Sequence, residues 1–268
     1  MSAAPPVVLV AAGSDPSGGA GLQADLKVLA DHGVYGAAAV TALTVQNTLG
    51  VRAVHAVRPA VVRDQLVAVL EDLPVAVIKL GMLGSLGVLS AVVEALEVAG
   101  QGIPVVLDPV LRSTSGRPLL HGRALTALVH RLLPMVALIT PNLREAEALA
   151  AVVGDLPAHC AAHGVALLLK GGHGTGDVLE DRLLLPAGGQ LRFAHPRVAS
   201  RNLHGTGCVL ASAIAARLAL GASMGQAVEG AVGYLQGRIL AGQGWSLGAG
   251  DGPLPVGLLA SSREDGQG

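Results

Sequence analysis

The chain has 268 residues, of which 51% are hydrophobic and 14% charged, and its formal net charge is −1. With no run of Lys and Arg, that balance excludes an electrostatic footprint for nucleic acid. Aromatic residues make up 1% of the chain (Tyr35, Phe193, Tyr234 and Trp245), so the core is aliphatic and a flat ligand finds few rings to stack on. The two cysteines, Cys160 and Cys208, lack metal-site spacing and read as free thiols of a reducing cytoplasm.

Val7–Ala12, the first apolar run, follows a segment with no basic region. It is too short for a signal-peptide core or a membrane span and reads instead as a strand buried on both faces. Further runs of this kind are Ala37–Leu43, Val75–Leu80, Pro104–Asp108, Ala137–Thr140 and Val165–Lys170. Helical patterns lie between them at Ala20–His32, Pro59–Leu73, Leu86–Ala99, His121–Leu133 and Leu143–Val153, and Gly207–Leu220 and Met224–Leu240 follow. Strand–helix alternation implies an α/β fold: a central, mostly parallel sheet with helices on both faces, in three layers. Val51–Val57 follows its predecessor too closely for a crossover and reads as a small added strand or flap. Val178–Val198, with Gly188-Gly189 inside it, reads as an edge hairpin. The stretch that holds His159, Cys160 and His163 reads as short and irregular. No linker or repeat divides the chain, so one domain is expected, with a frayed polar tail from about Ser261.

In a doubly wound sheet, ligands bind beyond the carboxyl ends of the strands, where the Gly-rich and polar insertions of this chain converge. Gly13–Gly21 enters a helix directly after the first strand. Gly19–Ala24 nominally fits a dinucleotide fingerprint, but the next strand carries no acidic residue for a ribose hydroxyl, and no P-loop exists. The better reading is close backbone approach to a small ligand. Asp25, four residues into that helix, reads as a helix-surface carboxylate favoured by the dipole or as a catalytic one. Gln46 offers both donor and acceptor and pairs with an aminopyrimidine edge, or it is a plain loop amide, as is Asn47.

Asn142 and Glu145 have the spacing of a capping box, and the same geometry aims Glu145 at a hydrated Mg²⁺. Lys170 closes an apolar run on the functional rim, where a phosphate would serve as its counter-charge. Asp108 and Asp181 are further carboxylates there. His159, Cys160 and His163 sit close together, but their pattern gives little support to a metal site. His204-Gly205-Thr206-Gly207-Cys208 opens a helix, and its backbone N–H groups with the helix dipole suit an anion. Cys208 is either a small buried residue behind that turn or a proton-handling one, since a helix N-terminus can lower a thiol pKa. Gly-rich loop, helix-start carboxylate, strand-end lysine and anion turn, in that order, describe phosphoryl transfer to a hydroxyl without a P-loop.

From Val7 to about Leu254 the chain resembles the hydroxymethylpyrimidine/phosphomethylpyrimidine kinases of the ribokinase-like group. The resemblance rests on Ala12–Gly21 with Gln23–Lys27, Val45–Thr48, Gly81-Met82, Asp108–Val110, Thr140–Asn142, Lys170–His173 and His204–Cys208. It implies a homodimeric cytoplasmic enzyme of thiamine biosynthesis that uses ATP and Mg²⁺ on a pyrimidine alcohol and its monophosphate, with a pyridoxal kinase as the nearest alternative and a non-catalytic pyrimidine sensor on the same fold as a more distant one. By resemblance Gln46 bonds the pyrimidine, aided by Gly13, Ala20 and Thr44, with Met82 on the ring and Asp25 in the same substrate region. Asn142, Glu145 and Asp108 would serve the Mg²⁺–phosphate region and Lys170 the phosphates. Gly205, Thr206 and Gly207 would form the anion hole, and Cys208 would stand beside the substrate hydroxyl. Leu203, Val209 and Leu111-Arg112-Ser113 depart from the family pattern, and against it Val153–Gly164 is short and lacks most of one helix.

Overall fold

The structure is a computed structural model that describes residues 4–112, 116, 118–120, 122–171 and 176–258. Among these residues nine strands form one sheet in the order β3-β2-β1-β4-β5-β6-β7-β8-β9. These are β1 (Val7–Ser14), β2 (Tyr35–Asn47), β3 (Gly50–Ala56), β4 (Val75–Leu80), β5 (Val105–Leu107), β6 (Leu138–Ile139), β7 (Ala166–Leu169), β8 (Val178–Leu184) and β9 (Gln190–Pro196). From β2 to β7 neighbouring strands run parallel, while β3 at one edge and β8 and β9 at the other pair antiparallel.

The uninterrupted apolar runs follow from burial on both faces. Val7, Leu9 and Ala11 of β1 face one core, which also holds Ile78, Leu107, Ile139 and Leu167. Val8, Val10 and Ala12 face the other, with Val77, Val106, Leu138 and Leu168. The first core is covered by α2 (Pro59–Asp72), α3 (Leu86–Ala99), α4 (Arg123–Ala127), α5 (Leu143–Val153) and α6 (Leu156–Ala162). The second lies under α1 (Gly21–Asp31), α7 (Thr206–Ala219) and α8 (Met224–Ala241). The expected three-layer α/β architecture is thereby present.

Three local expectations need correction. β2 runs to Asn47, four residues past its apolar stretch, because β3 pairs with that extension. The helix expected over 121–133 is regular only at Arg123–Ala127; it widens into a π turn at Leu128–Leu132 and tightens into a 3₁₀ turn at Leu133–Met135. Pro134, which has no N–H to give, accounts for the change of pitch. The segment expected to be irregular holds α6, whose start is set by the Asp155 side chain accepting the Ala158 N–H and by Pro157 in the first turn. Cys160 is buried there in the core beneath β7, and burial pushes its thiol up to about 11. The expected tail from Ser261 and position 121 lie outside the described residues.

Candidate active site

The site is built where β1, β2, β4, β5 and β7 end and α7 begins. Gly21 has φ 54°, and a side chain there would strike the Gly13 carbonyl. Gly205 has φ 85°, and a side chain there would strike the Gly19 carbonyl. Both positions demand glycine, and together they let the loop after β1 lie against the turn that opens α7.

Asp15 organises the first loop although only 2% of it is exposed. Its Oδ1 accepts the Ser17 N–H (2.8 Å) and hydroxyl (2.7 Å), and its Oδ2 accepts the Ala20 N–H (2.9 Å) and the His204 Nε2–H (2.9 Å). These donors, with Gln46 among them, outweigh burial and hold the carboxyl well below the usual range. Gln46 comes up from β2, its amide nitrogen 3.5 Å from His204 Nε2. Two residues earlier the Thr44 hydroxyl donates to the Ser14 carbonyl at 2.9 Å. Met82 follows β4, and its sulfur approaches within 3.2 Å of the place a Gly13 side chain would take.

Beneath this lies a buried ion pair. Lys79 occupies the slot of β4 next to Val77, on the α1/α7 side, and its Nζ donates to Asp25 Oδ2 at 2.8 Å. Ser212, one turn after Cys208, donates to Asp25 Oδ1 at 2.7 Å. Neither Lys79 nor Asp25 has any exposed side-chain surface. The negative charges of Asp25 and Asp108 keep the ammonium protonated despite its burial. The expected helix-surface position of Asp25 is thus corrected: the carboxylate points inward because Lys79 waits there, and the described geometry leaves it closed off from the rim.

On the other side, Lys170 Nζ donates to Asp108 Oδ1 at 3.0 Å. Both crowd the start of α7: a side chain on Gly207 would lie 3.3 Å from Lys170 Nζ and 3.4 Å from Asp108 Oδ2. The absence of that side chain leaves a cradle between an ammonium and the first turn of a helix, where N–H groups lack intrahelical acceptors. Asn142 caps α5, and the capping box is complete: its side chain accepts the Glu145 N–H (2.9 Å) and Glu145 Oε2 accepts the Asn142 N–H (2.9 Å). Burial and the nearby Asp108 push Glu145 up to about 7, against the pull of Lys170.

Cys208 keeps some exposed surface, yet burial pushes its thiol up to about 12, with Asp25 and Asp108 adding to the rise and Lys79 opposing it. Burial and the two carboxylates thus act against the acidifying helix start that the sequence suggested. Asp181 serves elsewhere: it accepts the Gly171 N–H (2.7 Å) and contacts His195 Nε2 at 3.4 Å, and that contact raises the imidazole pKa. Asn47 ends β2, and its side chain accepts the Leu49 N–H of the turn that follows. Arg112 donates to the Gly116 carbonyl. Among the described residues no group of three His, Cys, Asp or Glu could hold a metal ion, and no helix is long and apolar enough to cross a membrane. Sequence reasoning missed Lys79, Asp15 and His204 as functional side chains. For Lys79 a signal existed, since a lysine inside an apolar strand requires a buried partner.

A doubly wound sheet whose strand ends meet a helix-start cradle, a strand-end lysine and a capped carboxylate is the scaffold of a phosphotransferase without a P-loop. Its family is narrower. The sequence pattern described as phosphomethylpyrimidine kinase matches residues 15–255, and the chain belongs to that family. It is 41% identical over 257 residues to a hydroxymethylpyrimidine/phosphomethylpyrimidine kinase of Rhizobium meliloti, covering 92% of this chain and 96% of the relative. A phosphomethylpyrimidine kinase structure from Clostridium difficile superposes with a TM-score of 0.73 at 36% identity, covering 88% of this chain and 99% of that one. The Staphylococcus aureus pyridoxal kinase in complex with ADP superposes with a TM-score of 0.84 at 29% identity, covering 95% and 94%. The expected ribokinase-like kinase fold is thereby borne out.

Proposed function

We propose that this chain transfers a phosphoryl group from ATP to the hydroxyl of 4-amino-5-hydroxymethyl-2-methylpyrimidine, and then to the monophosphate, in thiamine biosynthesis. The observation that carries this reading is the meeting at the turn that opens α7, where Gln46 lies beside His204 and Lys170 and Asp108 lie beside Gly207, with Met82 against the neighbouring Gly13. Gln46 would read the pyrimidine edge, Met82 would pack on the ring, and Gly13, Ala20 and Thr44 would line the approach. Gly205, Thr206 and Gly207 would receive the moving phosphoryl group, with Lys170 as counter-charge.

ATP and Mg²⁺ suit the residues present. Gly207 itself adds no side chain to the cradle, so Lys170 and Asp108 approach the first turn of α7. Glu145 and Asp108 are buried carboxylates that share one ammonium, so the Glu145 carboxyl holds its proton near neutrality unless a cation joins it. Mg²⁺, when bound, neutralises phosphate charge, and Glu145 would hold it through water, because its Oε2 is committed to the Asn142 N–H. Asn142 keeps Glu145 in place, and Asp108 keeps Lys170 aimed at the cradle. Cys208 enters as a neutral thiol that orients the hydroxyl. That suits a loose phosphoryl-transfer transition state, which asks for positioning and charge stabilisation more than for early deprotonation.

The test is product analysis by mass spectrometry after incubation with the alcohol and excess MgATP. Monophosphate and then diphosphate are expected, and no phosphorylated pyrimidine refutes the reading. A pyridoxal kinase is the second reading, favoured by the superposition on the Staphylococcus aureus enzyme; a higher kcat/KM for pyridoxal than for the pyrimidine alcohol decides for it. A single-domain, cytoplasmic homodimer belongs to the same proposal. Leu43, Val45 and Leu49 leave apolar surface exposed along the β2–β3 edge, and light scattering reads the mass.

A further inference from the structure

Asp15, His204 and Gln46 come from three separate parts of the chain and meet at one carboxylate. A carboxylate is acceptor-only, so the 2.9 Å contact to Asp15 Oδ2 requires a proton on His204 Nε2. That nitrogen then has no lone pair to offer Gln46. The Gln46 Nε2, 3.5 Å from it, is a second donor turned toward the same carboxylate, and Gln46 is among the groups that hold the Asp15 carboxyl low. A primary amide so held cannot turn over, because reversal would set its carbonyl oxygen against the carboxylate and the His204 N–H would have no spare hydrogen for it.

We propose that Asp15 is a specificity-determining positioning residue: it fixes the Gln46 amide so that Oε1 and the remaining N–H face the substrate in one set order. The proposal rests on the reading that Gln46 meets the pyrimidine. The 4-amino group and ring N3 present donor then acceptor, which complements that order. The hydroxymethyl group at position 5 has to face the Gly207 cradle, so the ring cannot turn to offer the reverse order. A 4-oxo analogue, with a carbonyl at position 4 and a proton on N3, presents acceptor then donor and meets two mismatched groups. Asp15 therefore sets discrimination between the two rings, although it touches neither.

The experiment compares the kinase reaction of the full chain on the 4-amino alcohol and on its 4-oxo analogue, for the native sequence and for Asp15→Asn. A site built to pair polar groups rejects a substrate that leaves them unpaired by large factors, so the native preference for the amino ring is expected to be about 100-fold or more in kcat/KM. Asp15→Asn carries both donor and acceptor and lets the Gln46 amide turn over. KM for the amino ring then rises about tenfold (about 1.4 kcal/mol), while KM for the oxo ring falls and the preference shrinks to within a few-fold. Damage to the loop alone weakens both rings together; an unchanged ratio therefore overturns the proposal. The ratio is taken on the same active molecules, so incomplete folding does not mimic the effect. Asp15→Ser, whose hydroxyl serves either end of the amide, gives the same comparison if the asparagine variant does not fold. Gln46→Ala separates the two layers: if it leaves KM for the amino ring unchanged, the reading of Gln46 fails first; if it raises KM while Asp15→Asn leaves the ratio intact, only the role of Asp15 fails.

Discussion

Replacing Lys79 by methionine perturbs the buried pair without adding volume to β4. Asp25 would keep the Ser212 hydroxyl at 2.7 Å but lose the ammonium at 2.8 Å, inside a region where neither side chain is exposed. Breaking a buried pair from one side costs about 3–5 kcal/mol, because the surviving charge stays desolvated and unpaired. At about 2–4 °C per kcal/mol for a chain approaching this size, the expected fall in Tm is about 6–20 °C. Asp25→Leu, which strands the ammonium instead, is expected to cost a similar amount. The double variant Lys79→Met/Asp25→Leu removes both charges, and such replacements are often neutral or stabilising. Here the Ser212 hydroxyl loses its acceptor, a penalty of about 1–3 kcal/mol. The double variant is thus expected to be more stable than either single one. Urea unfolding of all four proteins measures this coupling. Additive losses, or a Lys79→Met cost under about 1 kcal/mol, would refute the account of an ion pair that holds α1, β4 and α7 together.

Glu145 makes stability depend on pH in the unusual direction. Its folded pKa of about 7 exceeds the ordinary 4.5, so between those values the folded state binds the proton and the unfolded state does not. Stability is expected to decline as pH rises from about 4.5 to about 7 and to level off above. Urea midpoints across that window should show the decline in the native sequence and lose this component in Glu145→Gln, and an identical slope in both refutes the assignment. Cys208, with its thiol pushed up to about 12, should react with iodoacetamide at pH 8 far more slowly than a free thiol does. Burst-like alkylation of Cys208 in a peptide map is the contrary result. Gly207→Ala sets a methyl 3.3 Å from Lys170 Nζ in the cradle. A fall in kcat of about 10²-fold with little change in Tm is expected, and unchanged kcat removes the cradle from the mechanism.

Much of the architecture was legible because it rests on local chemistry. Val7–Ala12 and Val165–Lys170 are apolar on both faces, which only a covered parallel sheet tolerates, and Asn142 with Glu145 writes its capping box within four residues. The rim residues were legible for the same reason: Gly205-Thr206-Gly207 and Lys170 stand at the ends of elements whose direction is already known. Less visible was α6, since its signal is one aspartate and one proline in a short stretch.

Only the tertiary structure decided what those residues are next to, and charge is governed by neighbours. Asp25 looks like a surface carboxylate of α1 until β4 supplies Lys79 from 54 residues away. Cys208 looks acidified by its helix until Asp25, Asp108 and the packed protein around its sulfur are counted, and these push the thiol the other way. Gln46 carries an ambiguous amide in the sequence; Asp15 and His204, brought together across 189 positions, remove the ambiguity. Pattern in the chain determines which face of an element is buried, because hydrophobic burial is additive along it. Protonation and hydrogen-bond direction depend on distances of a few ångströms between remote segments, and those exist only once the sheet has brought its strand ends to one rim.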